Sequence, residues 1–372
     1  MKKNTADLDI ENTVRQRYTA AAIEREAALC CPVQYEGKYL EVLPPELIDR
    51  DYGCGNPSEH VDVGETVLDL GSGGGKICYI LSQVVGPEGR VIGIDQNEEM
   101  LALACRYQQQ IGDRVGWHNT AFLRGNIQDL ALDLNAFQIF LAEYPIRNTG
   151  DWEQASRWVE AQREKQPLIA NNSIDVVVSN CVLNLVDPAD RKKMFAEIAR
   201  VLRPGGRAVI SDIVSDRVVP QHLKSDPELW SGCVSGAFAE VNLLKAFEEA
   251  GFYGVEILQR QTDPWTIVEG IEFRSVTVRA YKDLEETESD GAYEVLYNGP
   301  WKSVVNERGH RFERGLFTAV SKKMFAALCK SPYREQFSPK ICKADQKLEG
   351  GNDTLHTISP PENCCDQGQG CC

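Results

Sequence analysis

The chain has 372 residues, of which 55 are acidic and 40 are basic, so its formal net charge at pH 7 is −15. This balance disfavours nucleic acid and anionic membranes as partners, because both attract basic surfaces. The N-terminus lacks the apolar core of a signal peptide, and no stretch approaches the roughly 18 apolar residues of a membrane span. We therefore predict a cytoplasmic protein that acts on a small substrate, with no nucleic-acid and no membrane partner. A monomer is expected, although no feature of the sequence determines the oligomeric state.

The length is sufficient for one large core and a smaller module. We predict an N-terminal helical segment at 1–64, a core domain at 65–282 and a small, β-rich domain at 291–340. The acidic stretch 283–290 is typical of a linker. The tail 341–372 contains ProPro, several glycines and two CysCys pairs, and it has little apolar surface to bury. This composition predicts a Cys-rich, disordered tail.

The first predicted elements run from the N-terminus into an alternating pattern. A polar, Ala-rich stretch predicts a helix at 11–29, which ends near Pro32 because proline disfavours helix in the preceding residue. The pattern then predicts strand 65–70, helix 74–85, strand 90–95, helix 97–111 and strand 120–127. The acidic, aromatic insert 128–172 interrupts this rhythm, and a helix is expected within it at 152–165. We interpret it as a lid or an edge elaboration.

The alternation resumes with the near-continuous apolar run 173–181, which is typical of a strand buried on both faces of a parallel sheet. The later predictions are helix 189–203, a turn at 203–206, strand 207–214, helix 241–250, and strands 253–260 and 273–281. Strands that alternate with helices predict an α/β fold in which helices cover both faces of a parallel-rich sheet.

A glycine-rich loop follows the first predicted strand, with Gly71, Gly73 and Gly75 leading into a helix. Backbone amides without side chains can approach a ligand closely there. The third glycine comes one residue earlier than in the dinucleotide fingerprint, and Lys76 takes the expected place. Asp69 lies two residues before the loop, where it would repel a phosphate but suits a cationic amino-acid group.

Asp95 ends the following strand, which is the usual position of a carboxylate that accepts both ribose hydroxyls of a nucleoside cofactor. Together with Asp69 and the shortened glycine spacing, it indicates S-adenosylmethionine as the cofactor. The alternative is a tight strand-to-helix turn that binds nothing.

The chain has 13 cysteines, which are not expected to form a disulfide framework in a reducing cytoplasm. Cys181 ends the central strand and should face the cofactor cleft, because ligands bind at the carboxyl ends of parallel strands. Loops at the same edge can bring Cys54 and Cys233 beside it, and such thiolates select soft ions. The alternative is that each is a small core residue. Cys78 and Cys105 are predicted core residues on helix faces.

The chain resembles the S-adenosylmethionine-dependent arsenite methyltransferases from its N-terminal helix to about residue 340. The glycine motifs are shared by many methyltransferases, whereas the pairing of SerAsnCys with TyrGlyCysGly is much more specific. The resemblance rests on TyrGlyCysGly (52–55), LeuAspLeuGlySerGlyGlyGlyLys (68–76), CysTyrIleLeuSerGln (78–83), GlyIleAsp (93–95), ValSerAsnCysValLeuAsnLeu (178–185), ValLeuArgProGlyGly (201–206), the stretch 230–233 with GlyAla (236–237), and TyrAsnGly (297–299).

The resemblance implies a class I methyltransferase-like Rossmann sheet, and thiols that hold trivalent arsenic and cycle through a disulfide. Cys181 and Cys233 would be the lasting arsenic ligands, and Cys54 with either Cys30 or Cys31 would complete the set. The substrates would be arsenite or methylated arsenite thiol complexes, with glutathione or thioredoxin as the reducing co-substrate. The implied cofactor-binding residues are Tyr52, Asp69, Gly71, Ser72, Gly73, Gly75, Asp95, Gln96, Met100, Asn126, Ile127 and Ser179.

Arsenic(III) bound by three sulfurs keeps a lone pair that can attack an aligned methyl group directly, so no general base is needed. The chain has only five histidines, none near these motifs, which disfavours methylation of oxygen. Two alternatives stay open: a methyltransferase for a small carbon or oxygen acceptor such as a quinone, and a soft-metal-binding thiol protein. The adjacent Cys30 and Cys31 leave the redox partner open, and the insert 128–172 leaves the substrate scope open.

Overall fold

The computed structural model of the chain describes residues 9–24, 26, 33, 35–50, 52–284, 293–306 and 309–341. The chain divides into two units, Met1–Glu285 and Glu286–Cys372. The helices of the first unit are α1 (Ile10–Ile23), α2 (Gly37–Leu40), α3 (Pro45–Asp49), α4 (Lys76–Val85), α5 (Glu98–Val115), α6 (Leu134–Glu143), α7 (Thr149–Lys165), α8 (Arg191–Val201), α9 (Gln221–Lys224), α10 (Pro227–Ser231) and α11 (Glu240–Glu249). Its strands are β1 (Thr66–Leu70), β2 (Arg90–Asp95), β3 (Thr120–Arg124), β4 (Ile174–Asn180), β5 (Leu202–Ser215), β6 (Phe238–Ala239), β7 (Phe252–Arg260), β8 (Thr266–Val268) and β9 (Ile271–Lys282).

The strands of the first unit form one sheet in the order β3-β2-β1-β4-β5-β9-β7, with β6 paired to β5 and β8 paired to β9. The first five strands are parallel, whereas β9 and β7 are antiparallel to their neighbours. The middle of β4, Val176–Val178, is fully buried, as its apolar sequence predicts for a strand covered on both faces. The carboxyl ends of β1, β2 and β4 therefore meet at one edge, where the glycine loop, Asp95 and Cys181 follow.

Local sequence signals set the ends of the helices around this edge. The side chain of Asn97 accepts hydrogen bonds from the amides of Glu99 and Met100, which caps the start of α5. Gly116 ends the same helix in the left-handed conformation, with φ +97°. None of the described helices is long and apolar enough to cross a membrane.

Several predicted boundaries differ from the structure. Helix α1 ends at Ile23 rather than at residue 29, because Glu24 is extended, with φ −131°. The predicted turn at 203–206 is part of β5, which begins at Leu202 and pairs with β4 across a register shift. The insert 128–172 contains two helices, α6 and α7, of which only the second was expected.

The second unit contains β10 (Tyr293–Tyr297), β11 (Ser303–Val305), β12 (Arg311–Glu313), β13 (Phe317–Val320), α12 (Lys322–Leu328) and β14 (Phe337–Ile341). A sheet of order β13-β10-β14 and the hairpin β11–β12 make the described part of this unit mostly β, and that part also contains one helix that the sequence did not predict. A small apolar cluster forms its core, with Val295, Tyr297, Phe312, Leu328 and Phe337 buried. The cysteines beyond residue 341 lie outside the described residues.

Candidate active site

The glycine loop folds back on the end of β2. The amides of Gly71 and Ser72 both donate to the carbonyl of Ile94, at 2.8 and 2.9 Å, and the amide of Gly73 donates to Asp95 Oδ2 at 2.9 Å. These three amides are thus already used within the protein, contrary to the expectation that bare amides face the ligand. The loop instead brings its backbone and the carboxylate of Asp95 together at the rim of one cavity.

Gly71 is required by both conformation and space. Its φ is +68°, and a Cβ at this position would lie 2.5 Å from the side chain of Val182. Side chains other than glycine are strained in this region of φ. The loop can therefore pass next to Val182 only because residue 71 has no side chain.

One cavity contains most of the residues expected to bind the cofactor. Ser72 is buried in its lining, and the Ser72 Oγ has no hydrogen-bond partner among the described residues. A buried hydroxyl without a partner is costly, so this group is suited to bind a ligand. The predicted residues that line the cavity are Tyr52, Asp69, Gly71, Ser72, Gly73, Asp95, Gln96, Met100, Asn126 and Ile127.

Two of the expected cofactor-binding residues, Gly75 and Ser179, do not line this cavity. Gly75 has φ +85° and caps the start of α4, where a Cβ would lie 2.8 Å from the ring of Phe122. It thus permits close packing of helix on sheet. The hydroxyl of Ser179 donates to the carbonyl of Leu70 at 3.1 Å, so it joins β4 to β1 instead of reaching a ligand.

The two cysteines assigned to helix faces differ in their surroundings. Cys78 is fully buried, as predicted, and its thiol donates to Asp69 Oδ2 at 3.2 Å. Burial, followed by the charge of Asp69, raises the pKa of this thiol well above its usual range. The prediction for Cys105 is wrong, because this residue is exposed on α5. Cys78 therefore supports a cavity carboxylate, whereas Cys105 contacts solvent.

The structure brings three of the predicted thiol ligands together. Cys54 and Cys181 form a disulfide with a Cα–Cα distance of 5.9 Å, and the thiol of Cys233 donates to the carbonyl of Cys181 at 3.1 Å. All three are buried in one apolar cluster, and Cys181 also lines the cofactor cavity. Cys30 and Cys31 lie outside the described residues.

Cys181 and Cys233 share an unusual backbone conformation, with φ +61° at each. Left-handed conformations are uncommon for residues other than glycine, and such strain concentrates at functional sites. At Cys181, the chain turns out of β4 while its amide still donates to Ser211 at 2.8 Å. Both thiols are thus presented by sharp turns.

Asn180 joins two distant cysteine motifs. Its Oδ1 accepts hydrogen bonds from the amides of Cys54 and Gly55, at 2.8 and 3.1 Å, and its Nδ2 donates to the carbonyl of Gly55 at 2.7 Å. Gly53 leaves room for this side chain, because a Cβ there would lie 2.2 Å from Asn180 Nδ2. This contact gives a physical reason for the pairing of SerAsnCys with TyrGlyCysGly: one motif holds the other.

Asp212 lies beside the disulfide, with a carboxylate oxygen and the sulfurs of Cys54 and Cys181 all within 4.8 Å of one another. Its oxygens accept hydrogen bonds from the Leu183 amide at 2.9 Å and the Asn184 side chain at 2.7 Å. Burial raises the pKa of Asp212 to about 7, although hydrogen bonds from the backbone amides of Ile213, Asn184 and Leu183 oppose the shift. A carboxyl group therefore changes its charge near neutral pH beside the thiols.

Sequence reasoning missed two groups of residues that shape the site. Asn180 carried a signal, because it precedes Cys181 within a quoted motif, but its partner could not be read from the sequence. Helix α1 lines the cavity through Val14, Arg15 and Tyr18, and it contains no chemical motif that could have indicated this. The role of α1 in the site is visible only in the tertiary structure, where the helix packs against the cavity.

Comparison with known proteins agrees with this geometry. Residues 61–166 and 151–251 match the family described as a methyltransferase domain, and residues 285–356 match a domain of unknown function. CrArsM, an arsenic(III) S-adenosylmethionine methyltransferase from Chlamydomonas reinhardtii, has a similar fold, with a TM-score of 0.55 and 24% identity over 84% of this chain and 98% of that one. The fold and the cavity thus define a class I S-adenosylmethionine-dependent methyltransferase, which confirms the predicted fold class.

The curated relatives narrow this class. The arsenite methyltransferase of Aquipseudomonas alcaligenes is 30% identical over 81% of this chain and 82% of the relative. The rat arsenite methyltransferase is 28% identical over 91% of this chain and 89% of the relative. The chain belongs to the arsenite methyltransferase family.

Proposed function

We propose that this protein transfers methyl groups from S-adenosylmethionine to trivalent arsenic held by its own cysteine thiolates. One observation carries the proposal: a single cavity is lined by the glycine loop, by Asp95 and by Cys181. Cys54 and Cys233 both contact Cys181, the first through a disulfide and the second through a hydrogen bond from its thiol. A methyl donor and soft ligands therefore meet at one place.

The cavity residues fit the cofactor. S-adenosylmethionine, when bound, supplies a methyl group activated by a sulfonium charge. Asp95 keeps free acceptor capacity on both carboxylate oxygens for ribose hydroxyls, since each oxygen accepts one amide hydrogen bond. The buried hydroxyl of Ser72 and the carboxylate of Asp69 would contact the polar ends of the cofactor. These residues would hold the cofactor in the cavity that Cys181 also lines.

Arsenic loading follows from the thiols themselves. In each loading step a cysteine S–H bond and an As–OH bond break, an As–S bond forms, and water leaves. Three such bonds would use Cys54, Cys181 and Cys233, whose soft sulfurs favour a soft ion. The arsenic lone pair stays available for the methyl carbon, so no residue has to remove a proton. The buried setting excludes water from this step.

Disulfide cycling would restore the trivalent state. Methyl transfer formally takes two electrons from arsenic, and the As–S bonds to Cys54 and Cys181 would return them by breaking as the two sulfurs form a disulfide. Methylated trivalent arsenic would then stay on Cys233, and hydroxide from solvent or an external thiol would fill its open position. In this scheme Cys181 leaves the arsenic during the cycle, whereas the resemblance implied that it is a lasting ligand. The Cα–Cα distance of 5.9 Å between Cys54 and Cys181 suits the disulfide, and Cys233 stays outside it. We infer that glutathione or thioredoxin then reopens the disulfide, that Cys30 or Cys31 takes part in this exchange, and that the protein acts as a cytoplasmic monomer.

The test uses purified full-length protein, arsenite, glutathione and labelled methyl donor, with the methylated arsenicals separated by oxidation state. Cys181→Ser and Cys233→Ser should each abolish methylation and change the affinity for S-adenosylmethionine, measured by calorimetry, less than about twofold. Cys105→Ser is the control, because this exposed residue lies on the surface of α5.

The other functions predict different outcomes. A methyltransferase for a quinone or another carbon or oxygen acceptor would keep its activity when either cysteine is replaced. A soft-metal-binding thiol protein would give no calorimetric signal with the methyl donor. Retained arsenite methylation in either cysteine variant would defeat the thiolate mechanism.

A further inference from the structure

Cys78 is a buried thiol that the proposed arsenic chemistry does not use. It lies in the first turn of α4, directly after the glycine loop, and it is fully buried. Its thiol donates to Asp69 Oδ2 at 3.2 Å. Asp69 is itself buried near the carboxyl end of β1, and it lines the cavity. The thiol therefore contacts a carboxylate that belongs to the wall of the expected cofactor site.

Strand β2 leaves room for this contact at Gly93. Gly93 lies beside Asp69 in the β1–β2 ladder, and a Cβ there would lie 2.8 Å from both Cys78 Sγ and Ser72 Oγ. The thiol and the hydroxyl therefore pack over the same glycine. Ser72 Oγ is buried and has no hydrogen-bond partner among the described residues, although Ser72 lines the cavity. A second polar group is thus available to a ligand in this part of the cavity.

The protonation of Cys78 suits a donor and not an arsenic ligand. Burial, and then the charge of Asp69, raise the pKa of its thiol well above the usual range, so the thiol keeps its proton at neutral pH. The thiolate is the form that binds soft ions, and solvent does not reach this residue. The contact with Asp69 therefore points to a role toward the cofactor.

We propose that Cys78 is a positioning residue for the cofactor, whose thiol fixes the Asp69 carboxylate to receive the ammonium group of S-adenosylmethionine. The inference rests on the cofactor part of the proposed function and does not depend on its arsenic chemistry. A carboxylate offers about four acceptor positions, of which the thiol takes one. A donor stabilises the charged carboxylate and orients it before the cofactor binds. Loss of the donor should therefore weaken cofactor binding by about tenfold.

Calorimetry with two matched probes tests the inference on the full-length protein. S-adenosylhomocysteine and 5′-methylthioadenosine are both adenosyl thioethers with a neutral sulfur, but only the first has the ammonium and carboxylate groups. Each is titrated into wild type, Cys78→Ala, which removes the donor, and Cys78→Ser, which keeps a donor. Ser82→Ala is the matched control, because Ser82 is a buried donor one turn later in α4 that bonds to Asn119 and does not line the cavity.

We expect Cys78→Ala to weaken binding of S-adenosylhomocysteine about tenfold and to change binding of 5′-methylthioadenosine less than about twofold. Cys78→Ser should recover most of the lost affinity, and Ser82→Ala should change neither affinity. An equal loss for both probes would show that the thiol acts only through packing, and no loss for either would show that it does not act. Both results overturn the inference, as does an equal loss in Cys78→Ser and Cys78→Ala.

A double-mutant cycle with Asp69→Asn identifies the group through which Cys78 acts. The effect of Cys78→Ala on S-adenosylhomocysteine binding should disappear in the Asp69→Asn background, because the thiol then has no carboxylate to orient. A loss of equal size in both backgrounds would show that Cys78 acts through another group, which also overturns the inference.

These measurements separate the inference from the proposed function. If wild type binds S-adenosylhomocysteine and methylates arsenite, a flat response to Cys78→Ala overturns the role of Cys78 alone. If wild type binds neither probe and does not methylate arsenite, the cofactor assignment itself is wrong and the role of Cys78 falls with it.

Discussion

Arg191 donates a hydrogen bond of 2.6 Å to the carbonyl of Gly236, and the same nitrogen donates to the carbonyl of Asn184 at 3.2 Å. These two carbonyls belong to the segments that follow Cys233 and Cys181. One guanidinium group therefore joins the two turns that present the thiols. Because burial lowers the pKa of Arg191 only to about 10, the group stays charged at neutral pH.

Replacing Arg191 should make the positions of Cys181 and Cys233 relative to each other less fixed. Lysine cannot reproduce the planar fork that also donates to the carbonyl of Val186 at 3.1 Å and lies 4.1 Å over the ring of Phe238. We expect Arg191→Lys to raise the KM for arsenite several-fold while the KM for S-adenosylmethionine stays nearly constant. Steady-state kinetics with each substrate varied separately measures this split.

The control for this variant is Arg207→Lys. Arg207 is also largely buried and donates to the carbonyl of His60 and to Glu65, at the opposite end of the β4–β5 ladder from the thiols. The Arg207→Lys variant should have a lower free energy of unfolding and an unchanged KM for arsenite. Equal effects of both variants on that KM would contradict a specific role for Arg191.

Asn180→Ala should weaken the disulfide between Cys54 and Cys181. The substitution removes three hydrogen bonds that hold the Cys54 loop, so the two thiols should meet less often. We expect the equilibrium constant for closing this disulfide to fall by about tenfold, a loss of roughly 1.4 kcal/mol. Thiol trapping in glutathione redox buffers, followed by mass spectrometry, measures this equilibrium.

Asn119→Ala is the matched control for Asn180→Ala. The side chain of Asn119 also makes three hydrogen bonds, with Ser82, Gly86 and Gly89, but in a part of the fold remote from the thiols. It should lower the free energy of unfolding comparably and leave the disulfide equilibrium unchanged. If both variants shift the disulfide equilibrium equally, the cause is a general loss of stability and not the loss of the hydrogen bonds between Asn180 and the Cys54 loop.

Gly71→Ala should reduce the affinity for S-adenosylmethionine. The new methyl group would lie 2.5 Å from the side chain of Val182, which also lines the cavity, and residue 71 would adopt an unfavourable φ. We expect the dissociation constant, measured by calorimetry, to rise at least about tenfold. Gly64→Ala provides the comparison, because Gly64 has φ +84° with nothing within 4 Å of a Cβ. Gly64→Ala should lower the free energy of unfolding and leave the affinity for S-adenosylmethionine unchanged.

Asp212 should make stability depend on pH. Its pKa is about 7 in the folded protein and about 3.8 when unperturbed, so between these values the folded state binds more protons than the unfolded chain. Its contribution is therefore greatest at or below about pH 4, falls as pH rises to about 7, and is constant above that. Asp212→Asn removes this pH dependence. It also lowers the free energy of unfolding by an amount that does not vary with pH, because its hydrogen bonds are altered.

Guanidinium unfolding of wild type and Asp212→Asn, from about pH 5 to about pH 8, measures this effect. The free energy of unfolding of the variant, relative to wild type, should rise by roughly 2.6 kcal/mol from about pH 5 to about pH 8, since each unit of pH below the folded pKa corresponds to about 1.4 kcal/mol. A constant difference between the two proteins across the range would show that Asp212 does not titrate there.

Much of the fold and the cofactor side of the site could be predicted because the signals are local. The strand before Gly71 and the strand ending at Asp95 lie where apolar runs and punctuating residues put them, within one or two positions. The predictions for Gly75 and Ser179 came from motif membership. A motif does not distinguish a residue that lines a cavity from one that packs behind it, and tertiary contacts place these two behind it.

The sequence by itself determined the alternation of strands and helices along the central sheet and the position of the glycine loop, because short-range periodicity and residue chemistry suffice for these; its assignment of soft ligands stays a prediction. The tertiary structure alone decided that Cys54 meets Cys181, that Cys233 reaches the Cys181 carbonyl, and that Asn180 holds the Cys54 loop. These contacts join segments far apart in the chain. They form only when burial of the apolar sheet and helix faces has fixed the positions of the loops, so no local pattern can specify them.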